Sequence, residues 1–138
     1  MSKTPMLIEN EIYVKSYDID VMGIVSNIVY VRWFEDLRHV FLDKYYPYQK
    51  MIAESMSPIL MKTEIEYKTP LTIYDRPLGR CWMSDIGKSR WEMTFEILSD
   101  KAVHCTGKQW GCFYSVDSKK PVPMPKEIAL GYRQEAED

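Results

Sequence analysis

Residues 17–30 read YDIDVMGIVSNIVY, and the fold turns on how this stretch is divided. Asp18, Asp20 and Gly23 are turn-forming types, and Ser26 and Asn27 are helix N-cap candidates, so a connection ends and a helix begins here. On the C-terminal side Ile28, Val31, Phe34, Leu37 and Phe41 recur every three or four residues, with Arg32, Asp36, Arg38 and Lys44 at other angles. That pattern predicts an amphipathic helix of about four or five turns. On the N-terminal side, between Met6 and Tyr17, Ile8, Ile12 and Val14 alternate with Glu9, Glu11, Tyr13 and Lys15. This is the period of a half-buried strand.

Further along, Tyr45 to Pro58 holds Pro47 and Pro58 around a short periodic piece, read as a connection with about one helical turn. From Ile59 the period becomes two, with Ile59, Met61, Thr63, Ile65 and Tyr67 expected on one face of a strand. Leu78–Ile86, Arg90–Leu98 and Val103–Val116 read as three more strands, separated by Gly87-Lys88 and Ser99-Asp100. A helix inserted after the first strand, followed by a four-strand meander, predicts an α+β fold in which an antiparallel sheet packs against one long helix. Trp91, Met93, Phe95 and Ile97 and the helix stripe are expected to supply most of the core. The last strand alternates poorly: His104, Lys108 and Gln109 lie among Trp110, Phe113 and Tyr114, as when sheets of two subunits meet.

The chain has 138 residues, 46% hydrophobic and 28% charged, with no repeat or flexible linker, so residues 1–138 are expected to form one domain. Its net charge of −2 offers no basic excess for a phosphate backbone, and nucleic acid is not an expected partner. Cys81, Cys105 and Cys112 fit neither a disulfide framework nor a four-ligand zinc site. With no apolar run of signal-peptide or membrane-spanning length, they are read as reduced thiols of a soluble cytoplasmic protein without a membrane partner.

Chemistry is expected between Tyr17 and Tyr30. A helix start offers unpaired N–H groups and partial positive charge, able to receive a carbonyl oxygen that becomes negative during acyl transfer. A carboxylate nearby is then a base or a nucleophile. A calcium loop starting at Asp18 fails because its fifth and twelfth positions are Met22 and Val29, neither of which ligates calcium. The plain alternative is that Asp18 and Asp20 are only turn residues and Asn27 only a cap.

The run DxDxxGxVxNxxY, present as Asp18, Asp20, Gly23, Val25, Asn27 and Tyr30 and followed by VRWFEDLR, resembles the opening of the 4-hydroxybenzoyl-CoA thioesterase family of hotdog-fold proteins. Tyr67-Lys68-Thr69-Pro70-Leu71 with Asp75, and the closing Pro121-Val122-Pro123-Met124-Pro125, resemble the same family. The Ser26-Asn27 pair is closer to the version in acyl-carrier-protein (acyl-ACP) thioesterases. The resemblance implies a hotdog fold and hydrolysis of an acyl-CoA or acyl-ACP thioester. It implies Asp20 as catalytic carboxylate and the N–H of Asn27 as oxyanion donor. It implies that Gly23, Ser26 and Tyr30 line the substrate, and that Lys88, Ser89 and Arg90 lie near the nucleotide end of coenzyme A at a subunit boundary. A homodimer or homotetramer is expected. Thiolate leaves readily, so no metal or cofactor is needed beyond the coenzyme A or phosphopantetheine of the substrate.

Glu35 is a second candidate base, set against a solvated pair with His39 at i, i+4. His39 and His104 are too few for a catalytic zinc. Two other hotdog activities compete: a non-catalytic acyl-thioester-binding module, and a dehydratase or hydratase. The carboxylate at Asp20 favours hydrolysis over the first. The absence of histidine between Tyr17 and Leu37 counts against the second.

Overall fold

The computed structural model describes residues 2–137. Strand β1 (Ile8–Glu11) leads through a 3-10 turn (Ser16–Asp18) into helix α1 (Asn27–Tyr45) and a short helix α2 (Tyr48–Glu54). Strands β2 (Met56–Tyr67), β3 (Leu78–Ile86), β4 (Arg90–Leu98) and β5 (Val103–Ser115) follow, and α3 (Lys126–Glu137) closes the chain. The five strands form one antiparallel sheet in the order β1-β3-β4-β5-β2, which leaves β1 and β2 at the edges.

The expected α+β architecture is present, with α1 across one face of the sheet. Phe34, Leu37 and Phe41 of α1 and Trp91, Met93, Phe95 and Ile97 of β4 are all buried, and Phe34 stacks on Phe95 with ring centroids 4.6 Å apart. Burial of such side chains stabilises the fold by about 1.5–3 kcal/mol each. The first turns of α1 are rotated from expectation: Val29, Tyr30 and Trp33 are buried, whereas Ile28 is 67% exposed and Val31 39%. The helix meets Tyr67 there through the Tyr30 ring, 5.5 Å away edge-on, so aromatic side chains set its contact face.

A second correction concerns β2. Its pairing with β5 skips Met61, passing from Leu60 opposite Gly111 to Lys62 opposite Trp110. The extra residue shifts the alternation. Thr63, Ile65 and Tyr67 keep the expected face, but Ile59 and Met61 do not share it, and Leu60 and Pro58 take their place over Gly111 and Phe113. Strand β1 is shorter than its pattern, although Ile12 still donates to the carbonyl of Pro77 at 2.9 Å. The connection expected to hold one helical turn contains the 7-residue α2. The closing segment continues into α3, anchored by buried Ile128 and begun by the Pro125 carbonyl, which accepts from Ile128 and Ala129.

Candidate functional site

The stretch from Ser16 to Asn27 is built from local hydrogen bonds. Buried Asp18 is the structural member of the acid pair: its Oδ2 accepts from the Lys15 N–H at 2.9 Å, and its carbonyl accepts from the Ser26 N–H at 2.9 Å. These bonds tie the end of the first extended segment to the start of α1. Asp20, by contrast, is exposed. Its Oδ1 accepts from Met22 N–H at 2.8 Å and more weakly from Ile24 N–H at 3.4 Å. Its own N–H donates to the Ile24 carbonyl at 2.8 Å, and an Ile19–Val25 bridge closes the hairpin. Those hydrogen bonds fix the carboxyl group through Oδ1.

Gly23 adopts φ +79°, and a Cβ there would meet nothing within 4 Å in this chain. Backbone conformation, and not crowding, therefore requires glycine in this turn. Ser26 occupies the N-cap position but its hydroxyl makes no capping bond, and Asn27 is the first residue of α1. Helix geometry leaves the Asn27 N–H with no intrahelical acceptor. The Asn27 carbonyl accepts from the Tyr67 phenol at 3.1 Å, and the Val25 N–H donates to the Leu71 carbonyl at 2.9 Å. The loop after β2 thus buttresses the helix start. Asp75 organises that loop: Oδ2 accepts from Thr72 N–H at 2.7 Å, Oδ1 pairs with Lys101 at 3.2 Å, and these contacts, led by the first, hold its carboxyl below the usual range.

Asp20, Gly23, Ser26 and Asn27 are therefore brought together. Tyr30 is not at the surface with them: it is buried against Trp33 and Tyr67, and burial pushes its phenol up to about 12, so it stays protonated near neutrality. Lys88, Ser89 and Arg90 form the β3–β4 turn, where the Lys88 carbonyl accepts from Met124 and that of Ser89 from Phe113. This turn lies at the end of the sheet marked by the Arg90–Cys112 pair, whereas Tyr67 pairs with Cys105 at the other end. Within one chain the turn does not meet Asp20.

Glu35 is exposed, and its ion-pair partner is Arg38 at 3.7 Å; the expected pairing with His39 is not formed. Both Glu35 and Arg38 line a cavity of about 380 Å³ between the second half of α1, α2, the start of β2 and α3. Arg38 also donates from Nη1 to buried Gln109 Oε1 at 2.7 Å, and Gln109 Nε2 donates to Thr63 Oγ1 at 3.2 Å. Burial lowers the proton affinity of Arg38, against the opposing effect of Glu35. Sequence reasoning missed this cavity; its one signal was an arginine set between Phe34, Leu37 and Phe41 along the buried stripe. Burial also pushes the thiols of Cys81 and Cys105 up to about 12, which makes them poor nucleophiles. Among the described residues no group of three or more His, Cys, Asp or Glu side chains could hold a metal ion, and no helix is long and apolar enough to cross a membrane.

The profile of the Thioesterase-like superfamily matches residues 14–130, which takes in the hairpin, α1 and the whole of β2 to β5. The chain belongs to this superfamily. A "Putative esterase" of Aquifex aeolicus is 32% identical over 116 residues, covering 83% of this chain and 89% of the relative. Among solved structures, a DHNA-CoA thioesterase from Staphylococcus aureus superposes with TM-score 0.84 at 19% identity, over 95% of this chain and 91% of that one. A second Staphylococcus aureus protein, solved in complex with CoA, gives TM-score 0.89 at 12% identity over 99% and 88%. The sheet and α1 together are the hotdog fold that these solved structures share. This member of the superfamily is a thioesterase-like hotdog protein.

Proposed function

We propose that the chain hydrolyses an acyl-CoA or acyl-ACP thioester to a free acid and a thiol. The observation that carries the reading is the exposed carboxyl of Asp20, held through Oδ1 by two backbone N–H groups in the hairpin that delivers the chain to Asn27. The thioester carbonyl accepts from the Asn27 N–H, where partial positive charge at the start of α1 stabilises the developing oxyanion. Asp20 takes a proton from the attacking water or attacks the carbonyl carbon itself. The thiolate then leaves and is protonated; on the covalent route water next cleaves the acyl-Asp20 anhydride, which frees the acid and restores the carboxylate.

The complete site is made by two copies of the chain. Asn27 and Arg38 are 11 residues apart on α1, so about 16 Å of helix separates Asp20 and Asn27 from the cavity. Strand β2 is an open edge that exposes Ile59, Leu60 and Met61. A second copy on this edge, in a homodimer or a homotetramer of such pairs, presents its own cavity and Lys88–Arg90 turn to the first copy's Asp20.

The test is thiol release from a panel of aryl and of short, medium and long acyl thioesters of CoA and acyl carrier protein, comparing wild type with Asp20→Asn. A rate on one class that falls about a hundredfold or more in the variant supports the reading. Tight binding without release from any thioester replaces it with an acyl-binding module.

A further inference from the structure

We infer that an acidic acyl carrier protein docks on the basic end of the sheet, so that the acyl group arrives on a phosphopantetheine arm and not on free coenzyme A. This rests on the thioesterase reading and on the site shared between two copies. Five exposed cations gather at that end: Lys88 and Arg90 in the β3–β4 turn, Lys119 and Lys120 in the turn after β5, and Lys126 at the start of α3. The backbone holds these segments side by side. The Lys88 carbonyl accepts from Met124 N–H at 2.7 Å, the Ser89 carbonyl from Phe113 N–H at 2.9 Å, and the Lys120 carbonyl from Ser115 N–H at 2.9 Å. Only Asp85 and Asp117 stand against the five as exposed acids of the same segments, and among the described residues none of the five is ion-paired. In a chain of net charge −2 this end therefore carries a local positive excess.

Local stability does not account for two of these lysines. Lys119 holds φ +57°, a left-handed conformation that Gly or Asn adopts at lower cost. Lys126 is the first residue of α3, where the partial positive charge of a helix start favours an acid. Attraction of a negative partner gives both positions a reason. A broad acidic face fits them better than a nucleotide does. Small ligands are gripped in a cleft, yet of the five only Arg90 lines the groove beside Trp110, and none lines the cavity beside Arg38. The cations are instead spread over three segments, with Val116, 53% exposed, and Pro121 and Pro123 as apolar contacts among them. In the shared site this end faces the Asp20 of the other copy, so a carrier seated here extends its arm toward that carboxylate.

The test compares the intact wild type with a Lys119→Asp, Lys120→Glu double variant. In the turn after β5 these lysines are held through their backbone, so the variant is expected to keep the wild-type melting temperature. Fluorescently labelled holo acyl carrier protein is titrated first. Its affinity is expected to fall about tenfold in the variant, and in wild type to fall as salt is raised. Turnover is then measured with one acyl group presented on acyl carrier protein and on coenzyme A. The variant is expected to lose about tenfold in kcat/KM on the carrier-bound substrate and less than about twofold on the coenzyme A thioester. An equal loss on both substrates assigns the lysines to the nucleotide and overturns the inference. So does carrier binding that the variant leaves unchanged, or binding of wild type to phosphatidylglycerol vesicles with none to the carrier. Cleavage of coenzyme A thioesters without carrier binding overturns the inference and leaves hydrolysis standing. Lysine-dependent carrier binding with no thioester cleaved leaves the docking surface standing while hydrolysis falls.

Discussion

The phenol of Tyr67, near the end of β2, donates to the carbonyl of Asn27 at 3.1 Å and so joins the edge strand to the first residue of α1. The Tyr30 ring lies edge-on to Tyr67 with centroids 5.5 Å apart. Replacing Tyr67 by Phe keeps the ring contact and removes the hydrogen bond. The bond is partly solvent-exposed, so the stability change is expected to be about 1 kcal/mol or less. If the Asn27 N–H polarises the carbonyl, loosening its peptide lowers kcat severalfold with KM nearly unchanged; steady-state kinetics beside a melting curve separate the two effects.

The two acids of the hairpin separate in the same way. Asp20→Asn retains an oxygen for Met22 N–H and Ile24 N–H, so the melting temperature is expected to hold while activity falls. Asp18→Ala deprives the Lys15 N–H of its acceptor in a part-buried hydrogen bond and is expected to destabilise by about 1 kcal/mol. A denaturant titration of both variants distinguishes them.

Gly23 and Gly111 are required for different reasons. Gly23→Ala meets no neighbour but must hold φ +79°, at a cost of about 1–2 kcal/mol. At Gly111 a Cβ would stand 2.0 Å from the Ile59 carbonyl oxygen and 2.3 Å from Trp91 Cζ2. Gly111→Ala is therefore expected to displace both β2 and Trp91 and to be the more destabilising, as unfolding in urea will read out.

Acid sensitivity is expected from Asp75. The Thr72 backbone N–H, helped by Lys101, holds its carboxyl below the ordinary value of 3.8. Between the folded and unfolded pKa values the unfolded chain binds more protons, so stability rises with pH in that window. The contribution is fully present above about pH 4–5 and is lost as pH falls through the folded pKa. Asp75→Asn is expected to flatten the melting temperature against pH between about 2 and 5 relative to wild type.

A site shared between copies predicts complementation. Asp20→Asn and a Lys88→Ala, Arg90→Ala double variant are each expected to be inactive. Refolded together in equal amounts, random pairing gives half heterodimers with one intact site of two, or about a quarter of wild-type activity. Activity that remains at the level of the separate variants would assign the site to a single chain.

The parts legible in the sequence are those whose signal is local. Strict alternation at Trp91, Met93, Phe95 and Ile97 places β4, and the Asp18 to Asn27 run places the hairpin and the start of α1. The departures arise where a tertiary contact or a chain irregularity overrides period. Tyr30 and Trp33 turn the first turns of α1 because aromatic rings bury well despite their polar tips. The bulge at Met61 inverts the facing of Ile59 and leaves no composition signal. Helix α3 has Ile128 as its fully buried anchor, too sparse a stripe to reveal its periodicity, although Pro125 followed by KEIALGYRQEAE marks a helix start in composition. The cavity escaped notice because Arg38 and Trp91, which both line it, lie far apart in the chain and meet only across the helix–sheet interface.

The bulge at Met61 also bears on how the chain behaves in a crowded solution. An unbroken open strand of twelve residues would offer a continuous ladder of backbone donors and acceptors, a template on which chain after chain could stack. By interrupting that ladder between Leu60 and Lys62, the extra residue leaves two shorter runs. A newcomer whose own edge is interrupted at the same place is the natural match. An irregularity in one strand thus makes the open edge a poorer template for fibrillar growth.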